Sequence, residues 1–332
     1  MRILITGGAG FVGHHIVEHF LKTTDVEIVV FDKLNYAALG FDRLRDISAY
    51  DDKRVTVLCA DFCYPLTVGV KQEIGNVDYI LHLGAESHVD HSITNPEPFV
   101  LSNVVGTYHI LEFARSLPQL QCFFYFSTDE VFGPASEGIN YREEDRHNPT
   151  NPYSATKSGG EMLVKSYRNS YQLPAIITRS MNIFGERQHP EKFIPKVINA
   201  VQSGEAISIH SNPEKTKAGS RFYIHARNVA DAYSFLIQKI EEGASVIGED
   251  FHITGEKEVD NLEMAEFIAK ILEKPLHYEM TDFHSSRPGH DLRYSLDGSK
   301  IFSLGWKMPK TFEDSLEKTI RWTLGQPRWL TE

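Results

Sequence analysis

A chain of 332 residues has material for about two domains and a sizeable buried core, which excludes a peptide hormone or a disulfide scaffold. Apolar residues at 41% and charged residues at 24% describe a globular protein. Lys+Arg 34 against Asp+Glu 45 leave a net charge of −11, so the average field repels nucleic acid and anionic lipid, and an anionic ligand needs a local cluster of cations.

Cys59, Cys63 and Cys122 are too few for a disulfide framework and lack the spacing of a zinc site, so they read as reduced thiols. No apolar run reaches the roughly 18 residues of a membrane span, and MRILITGG lacks the features of a signal peptide. The expectation is a cytoplasmic protein without a membrane or nucleic-acid partner.

Short apolar runs alternate with helical patterns through the first half, the signature of βαβ units in a doubly wound parallel sheet. The expected strands are Arg2–Thr6, Glu27–Phe31, Val55–Cys59, Tyr79–Leu83, Cys122–Ser127 and Ala175–Arg179. Helices are expected to start near Gly10, Pro96, Tyr153 and Pro190. After Arg179 the alternation weakens, and a smaller α/β substrate domain is expected over 181–224 and 256–332. The cofactor domain spans 1–180, with about 225–255 rejoining it through a helix at Ala226–Glu241 and a strand at Asp250–Thr254. The last third offers helices at Asn261–Leu272 and Thr311–Leu324 and a strand at Leu276–Met280.

The first strand runs into Gly7-Gly8-Ala9-Gly10-Phe11-Val12-Gly13, with glycines at Gly7, Gly10 and Gly13. A tight turn, close backbone approach to a pyrophosphate and close helix packing each call for a residue without a side chain. The helix that follows offers its N-terminal N–H groups to phosphate. Asp32 ends the second strand where a carboxylate accepts the ribose hydroxyls of NAD, and it repels the extra phosphate of NADP. Lys33 follows directly and leaves NADP open. Asp61, after the third strand, reads either as a partner of the adenine amino group or as a solvated turn carboxylate.

Tyr153-Ser154-Ala155-Thr156-Lys157 puts a phenol and an ammonium one helical turn apart, an arrangement in which the cation stabilises the phenolate and makes a general base.

Together with Ser127-Thr128-Asp129-Glu130-Val131-Phe132-Gly133, Gly84-Ala85-Glu86-Ser87-His88-Val89-Asp90, Asn151-Pro152-Tyr153, Pro190-Glu191-Lys192 and Arg287-Pro288-Gly289-His290-Asp291, these residues resemble the extended short-chain dehydrogenases/reductases. More narrowly, they are similar to the dTDP-glucose 4,6-dehydratases. The resemblance implies a Rossmann-like fold, bound NAD, a nucleotide-diphosphate hexose substrate and a homodimer formed by a four-helix interface from 96–116 and 153–171. It assigns catalysis to Thr128, Asp129, Glu130, Tyr153 and Lys157. Tyr153 would take the proton of the sugar 4-hydroxyl as hydride leaves C4. Glu130 would remove the C5 proton, and Asp129 would protonate the departing 6-hydroxyl. It adds cofactor contacts from Phe11, Val12, Leu34, Asn35, Phe62, Leu83, Gly84, Ala85, Ser87, Ser102, Tyr153, Lys157 and Asn182. For the substrate it adds Ser87, Lys192, Phe193, Arg221, Arg287 and His290.

Several positions depart from the family pattern, among them Ile183, Lys257 and Ser286, all in the half assigned to the sugar nucleotide. Reaction type is therefore better specified than substrate, and UDP-glucose or UDP-N-acetylglucosamine stands as the alternative. A UDP-sugar epimerase or decarboxylase would keep Tyr153 and Lys157 without needing both carboxylates. An NAD-sensing protein would be expected to have lost the tyrosine or the lysine.

Overall fold

The computed structural model describes residues 1–282 and 293–331. Seven parallel strands form its central sheet: β1 (Arg2–Thr6), β2 (Glu27–Asp32), β3 (Val55–Cys59), β4 (Tyr79–His82), β5 (Cys122–Thr128), β6 (Ala175–Ser180) and β11 (Asp250–Ile253). Their spatial order is β3-β2-β1-β4-β5-β6-β11. The order reverses between β1 and β4, and the crevice at such a switch point, outside the carboxyl ends of the strands, is where open α/β sheets bind ligands. β1, β4 and β6 are buried along nearly their whole length, as required of strands covered by helices on both faces.

One face of the sheet packs on the helices Phe11–Thr23 and Ala226–Glu241 through Ile16, Val17, Phe20, Tyr233 and Leu236. The other packs on the helices Thr107–Arg115 and Pro152–Tyr171 through Ile110, Leu111, Val164 and Tyr167.

The remaining strands form two-stranded pieces. β7 (Ile183–Phe184) pairs with β10 (Ile224–His225), β8 (Ile207–Ser211) with β13 (Tyr278–Asp282), and β9 (Ser220–Phe222) runs antiparallel to β12 (Glu258–Asp260). A separate core of Ile194, Ile198, Met264, Ile268, Leu316 and Ile320 lies beside them.

The six expected strands of the first half form with ends within one residue, and the helices at Ala226–Glu241 and Asn261–Leu272 form as read. Three expectations are corrected. The strand at Leu276–Met280 lies at Tyr278–Asp282, in register with β8. The helix near Pro190 starts at Phe193, because Lys192 still has extended backbone. The helix from Pro96 is interrupted: Leu101–Gly106 is a π turn between the helices Glu97–Val100 and Thr107–Arg115.

Arg179 of β6 is fully buried and bonds Glu161 at 2.5 Å and Asp250 at 2.9 Å. A buried guanidinium is tolerated when carboxylates surround it in this way. The network fastens the helix Pro152–Tyr171 to β6 and β11, and so fixes the helix that carries Tyr153 and Lys157.

Candidate active site

A cleft of about 1220 Å³ of atom-free space, open to solvent, runs over the carboxyl ends of β1, β2, β4 and β5. Its wall includes Gly7, Gly10, Phe11, Val12 and Gly13 from the first turn, Asp32, Lys33 and Asn35 after β2, and Phe62. It continues through Leu83, Gly84, Ala85 and Ser87 after β4 to Ser102, Tyr153, Lys157 and Lys192. Sixteen sites assigned from sequence to the cofactor therefore converge on one cavity. Leu34, Asp61 and Asn182 are not part of its wall. Leu34 gives its backbone N–H to Asp32. Asp61 accepts the backbone N–H of Cys63 at 2.8 Å, the geometry of a turn carboxylate. Asn182 is exposed, with φ of +38°.

The glycine turn is built for close approach. Gly7 has φ of +69°, and a Cβ there would lie 2.8 Å from the backbone of Gly84; a Cβ on Gly13 would lie 2.1 Å from the Gly7 carbonyl oxygen. Gly10 caps the helix without a side-chain oxygen, and no acidic residue occupies its first turn. The first-turn N–H groups at the cleft wall thus suit a pyrophosphate. Asp32 accepts backbone N–H groups from Ala9 at 3.1 Å and Leu34 at 2.9 Å, while burial pushes its carboxyl up. Lys33 is ion-paired with Glu86 at 2.6 Å, so its charge is engaged and is not free for a 2′-phosphate. These features fit NAD better than NADP.

Behind this wall the π turn places Asn103 against two elements. Its side chain accepts from Glu86 N and donates to Glu86 O and to Thr156 Oγ1. Thr156 in turn donates to the Tyr153 carbonyl. Asn103 and Glu86 escaped sequence reasoning as site residues, although Glu86 lay within a quoted motif; a π turn leaves no hydrophobic period to detect. Tyr36, Arg43, Gln188, His189 and Glu191, also in the wall, come from irregular loops or short helices and carry no spacing signal.

Thr128 ends β5 and Asp129-Glu130 begin the short turn after it. Thr128 donates to Asp129 at 2.8 Å, and Asn151, which caps the helix Pro152–Tyr171, donates to Glu130 at 2.9 Å. Burial pushes the Asp129 carboxyl up to about 6, against the pull of Thr128 and Arg221. Burial, then the adjacent Asp129 charge, pushes Glu130 up to about 7. Two carboxyls so placed exchange protons near neutrality, as acid–base work demands.

The tyrosine–lysine pair differs from expectation. Lys157 donates to the Phe126 carbonyl at 2.6 Å and lies over the Tyr125 ring, and burial lowers its pKa to about 7. Tyr153 is held above its ordinary value by burial and then by the Glu130 charge; the Thr128 hydrogen bond is the group that pulls it down. The phenol is thus tuned from the β5 terminus rather than by the lysine alone.

On the substrate side, Arg221 of β9 is buried and stacks 4.9 Å from the Tyr294 ring. Lys192 pairs with Glu191 at 3.2 Å. Phe193 packs into the smaller core. Arg287, His290 and Ser286 lie outside the described residues.

The chain matches the family model for GDP-mannose 4,6 dehydratase over residues 4–319. It is 35% identical to a dTDP-glucose 4,6-dehydratase of Shigella flexneri, covering 99% of this chain and 94% of that protein. It is 38% identical to the low-salt glycan biosynthesis protein Agl12 of Haloferax volcanii, covering 98% and 99%. Its structure superimposes on DesIV, a dTDP-glucose 4,6-dehydratase from Streptomyces venezuelae crystallised with NAD and TYD bound, with a TM-score of 0.86 at 32% identity over 99% of this chain and 98% of that one. With its glycine turn, its carboxylate pair and matches along nearly its whole length, this chain belongs to the GDP-mannose 4,6-dehydratase family.

Proposed function

We propose that the protein is an NAD-dependent nucleotide-sugar 4,6-dehydratase, a hydro-lyase whose favoured substrate is dTDP-glucose, giving a 4-keto-6-deoxy sugar and water. The observation that carries this reading is the pair Asp129 and Glu130, tuned towards neutrality at the strand end beside Tyr153. The named activity of the Shigella and Streptomyces relatives supports it.

The glycine turn and Asp32 would hold NAD, which when bound accepts a hydride from C4 and returns it to C6. Tyr153, bonded to Thr128, receives the C4 hydroxyl proton. Protonation of Glu130 relieves the charge that holds the phenol high, so the two groups are coupled. Once C4 is a carbonyl, the C5 hydrogen is acidified and Glu130 in its basic form removes it. Asp129 in its acid form protonates the departing 6-hydroxyl, and Glu130 would return its proton to C5 when C6 is reduced. Arg221 and Lys192 would neutralise the diphosphate, with Arg287 and His290 joining them as the resemblance implies.

This reading divides the chain into a cofactor domain of 1–180 with 225–255, and a substrate domain of 181–224 and 256–332. The joining of β11 to β6 supports it. Val100, Leu101, Tyr108 and Met162 are exposed on the helical segments 97–115 and 152–171, which supports a homodimer through a four-helix interface. Among the described residues no helix is long and apolar enough to cross a membrane, in keeping with a cytoplasmic site of action.

Incubation with dTDP-glucose, UDP-glucose and UDP-N-acetylglucosamine, followed by mass spectrometry, tests the reading. Loss of one water, greatest from dTDP-glucose, is expected; an isomer of unchanged mass would replace it by an epimerase reading. In single turnover, Tyr153→Phe should slow cofactor reduction by roughly 10²- to 10⁴-fold. Glu130→Gln should keep that step and stop water loss.

A further inference from the structure

At the mouth of the cleft, the segment after β4 meets the segment that leads into the helix Phe193–Ser203. His88 stands at the N-cap of the helix Val89–Thr94 with its Nδ1 3.5 Å from the His91 N–H, a long contact that ligation through Nε2 would give up, and His91 lies one turn along the helix. Their rings stack with centroids 4.2 Å apart. Across from them Glu191 places Oε2 3.6 Å from His88 Nε2, while its Oε1 stays 3.2 Å from Lys192. One ligand atom from each of His88, His91 and Glu191 falls within 4.8 Å of the others.

Two imidazoles and a carboxylate form a donor set that suits zinc and its neighbours rather than magnesium or calcium, which prefer oxygen alone. The surroundings supply the orientation such a site needs. The Tyr36 hydroxyl lies 3.1 Å from His91 Nδ1, which leaves Nε2 as the atom for ligation, an outer partner of the type that fixes metal-binding imidazoles. His91 is exposed, so an ion can reach it. Ligand atoms around tetrahedral zinc stand about 3.3 Å apart, so a closing of roughly 1.5 Å is needed.

We propose that His88, His91 and Glu191 form a zinc-type transition-metal site. A bound ion ties the two walls of the cleft mouth together and slows passage of the nucleotide sugar. Metal binding needs these residues alone; the slowing of turnover rests on the proposed activity.

The test uses untagged, chelator-stripped protein titrated with zinc against a chromophoric chelator, and separately with cobalt to read the absorption of a tetrahedral ion. One ion per chain is expected. His91→Ala should weaken zinc by at least about tenfold, since even outer partners of metal ligands are worth 10- to 100-fold, and the cobalt bands should vanish. Absence of stoichiometric binding, or equal binding by His91→Ala, overturns the site. In the metal-free state, His91→Ala should turn over substrate as the parent does and should escape zinc inhibition. Equal inhibition of both proteins overturns the slowing, while the titration still reports on the site.

Discussion

The two halves of the molecule solve different problems. The half proposed to hold the cofactor rests on seven parallel strands in one sheet, and its cleft wall includes the backbone of a turn whose glycines leave no space for a side chain. The half proposed to hold the substrate is assembled from two-stranded pieces around its own small core, and its candidate contacts are side chains such as Arg221 and Lys192. A site made of backbone tolerates little substitution, whereas one made of side chains can be retuned residue by residue. The departure at Lys257 falls in the second half.

That contrast predicts its largest effect at Gly13. A Cβ there meets the Gly7 carbonyl oxygen at 2.1 Å and the Gly8 Cα at 2.6 Å, both backbone atoms that cannot rotate away. Gly13→Ala should cost at least about 3 kcal/mol, the upper end for overpacking, and the protein should purify without nicotinamide cofactor. Denaturant titration and release of cofactor on heating check both. An alanine variant that retains cofactor would break the contrast at its strongest point.

The same contrast explains what was legible in the sequence. Buried parallel strands need runs of apolar residues, so β1, β2, β4, β5 and β6 could be read from their composition, and the edge strand β3 from the β-branched run Val55-Thr56-Val57. The glycines, Asp32, Tyr153 and Lys157 were legible because backbone geometry fixes their spacing. β7, β9 and β10 have two or three residues each, too short for a period, and they form because the larger sheet and the smaller core present partners. Asn103 and the Glu86–Lys33 pair were not legible, since each depends on a contact between segments far apart in the chain. Ile183, one of the departures from the family pattern, packs partly buried against the main core.

A middle-sized effect is expected where the halves meet. Burial raises Asp129 to about 6, so its folded pKa exceeds that of the unfolded chain. A raised carboxyl favours folding fully below the unfolded pKa near 4, and this contribution is lost as pH rises through about 6. At pH 8 the buried anion therefore costs stability, on the order of 3 kcal/mol for a shift of this size. Asp129→Asn should unfold at higher denaturant than the parent at pH 8 and lose the advantage at pH 4, while losing water elimination. The same substitution removes the charge that helps raise Glu130, so carbon-13 NMR should find the Glu130 carboxyl titrating at lower pH. An unchanged Glu130 titration would show that the pair is not coupled.

The smallest effect belongs to Lys257, which the family pattern made a candidate for substrate selection. Its ammonium pairs with Glu313 at 2.7 Å, and the side chains are 47% and 48% exposed. It also lies 5.3 Å from the Phe312 ring, at the start of the helix Phe312–Leu324. Exposed pairs of this kind gain little from Coulomb attraction in water, lose side-chain entropy and are screened by salt, so they contribute about 0–1 kcal/mol. Lys257→Ala should change unfolding free energy by less than about 1 kcal/mol, with the difference shrinking at high salt. Its kcat/KM should keep the parent's ranking of dTDP-glucose, UDP-glucose and UDP-N-acetylglucosamine. Arg221→Met supplies the opposing case: a buried guanidinium lost from the substrate half should raise KM for all three, because the diphosphate is common to them. If Lys257→Ala reorders the sugars, the substrate reaches this surface and selection extends beyond the cleft wall. If neither variant changes KM, the cations that hold the diphosphate lie elsewhere, and the side-chain half of the contrast fails.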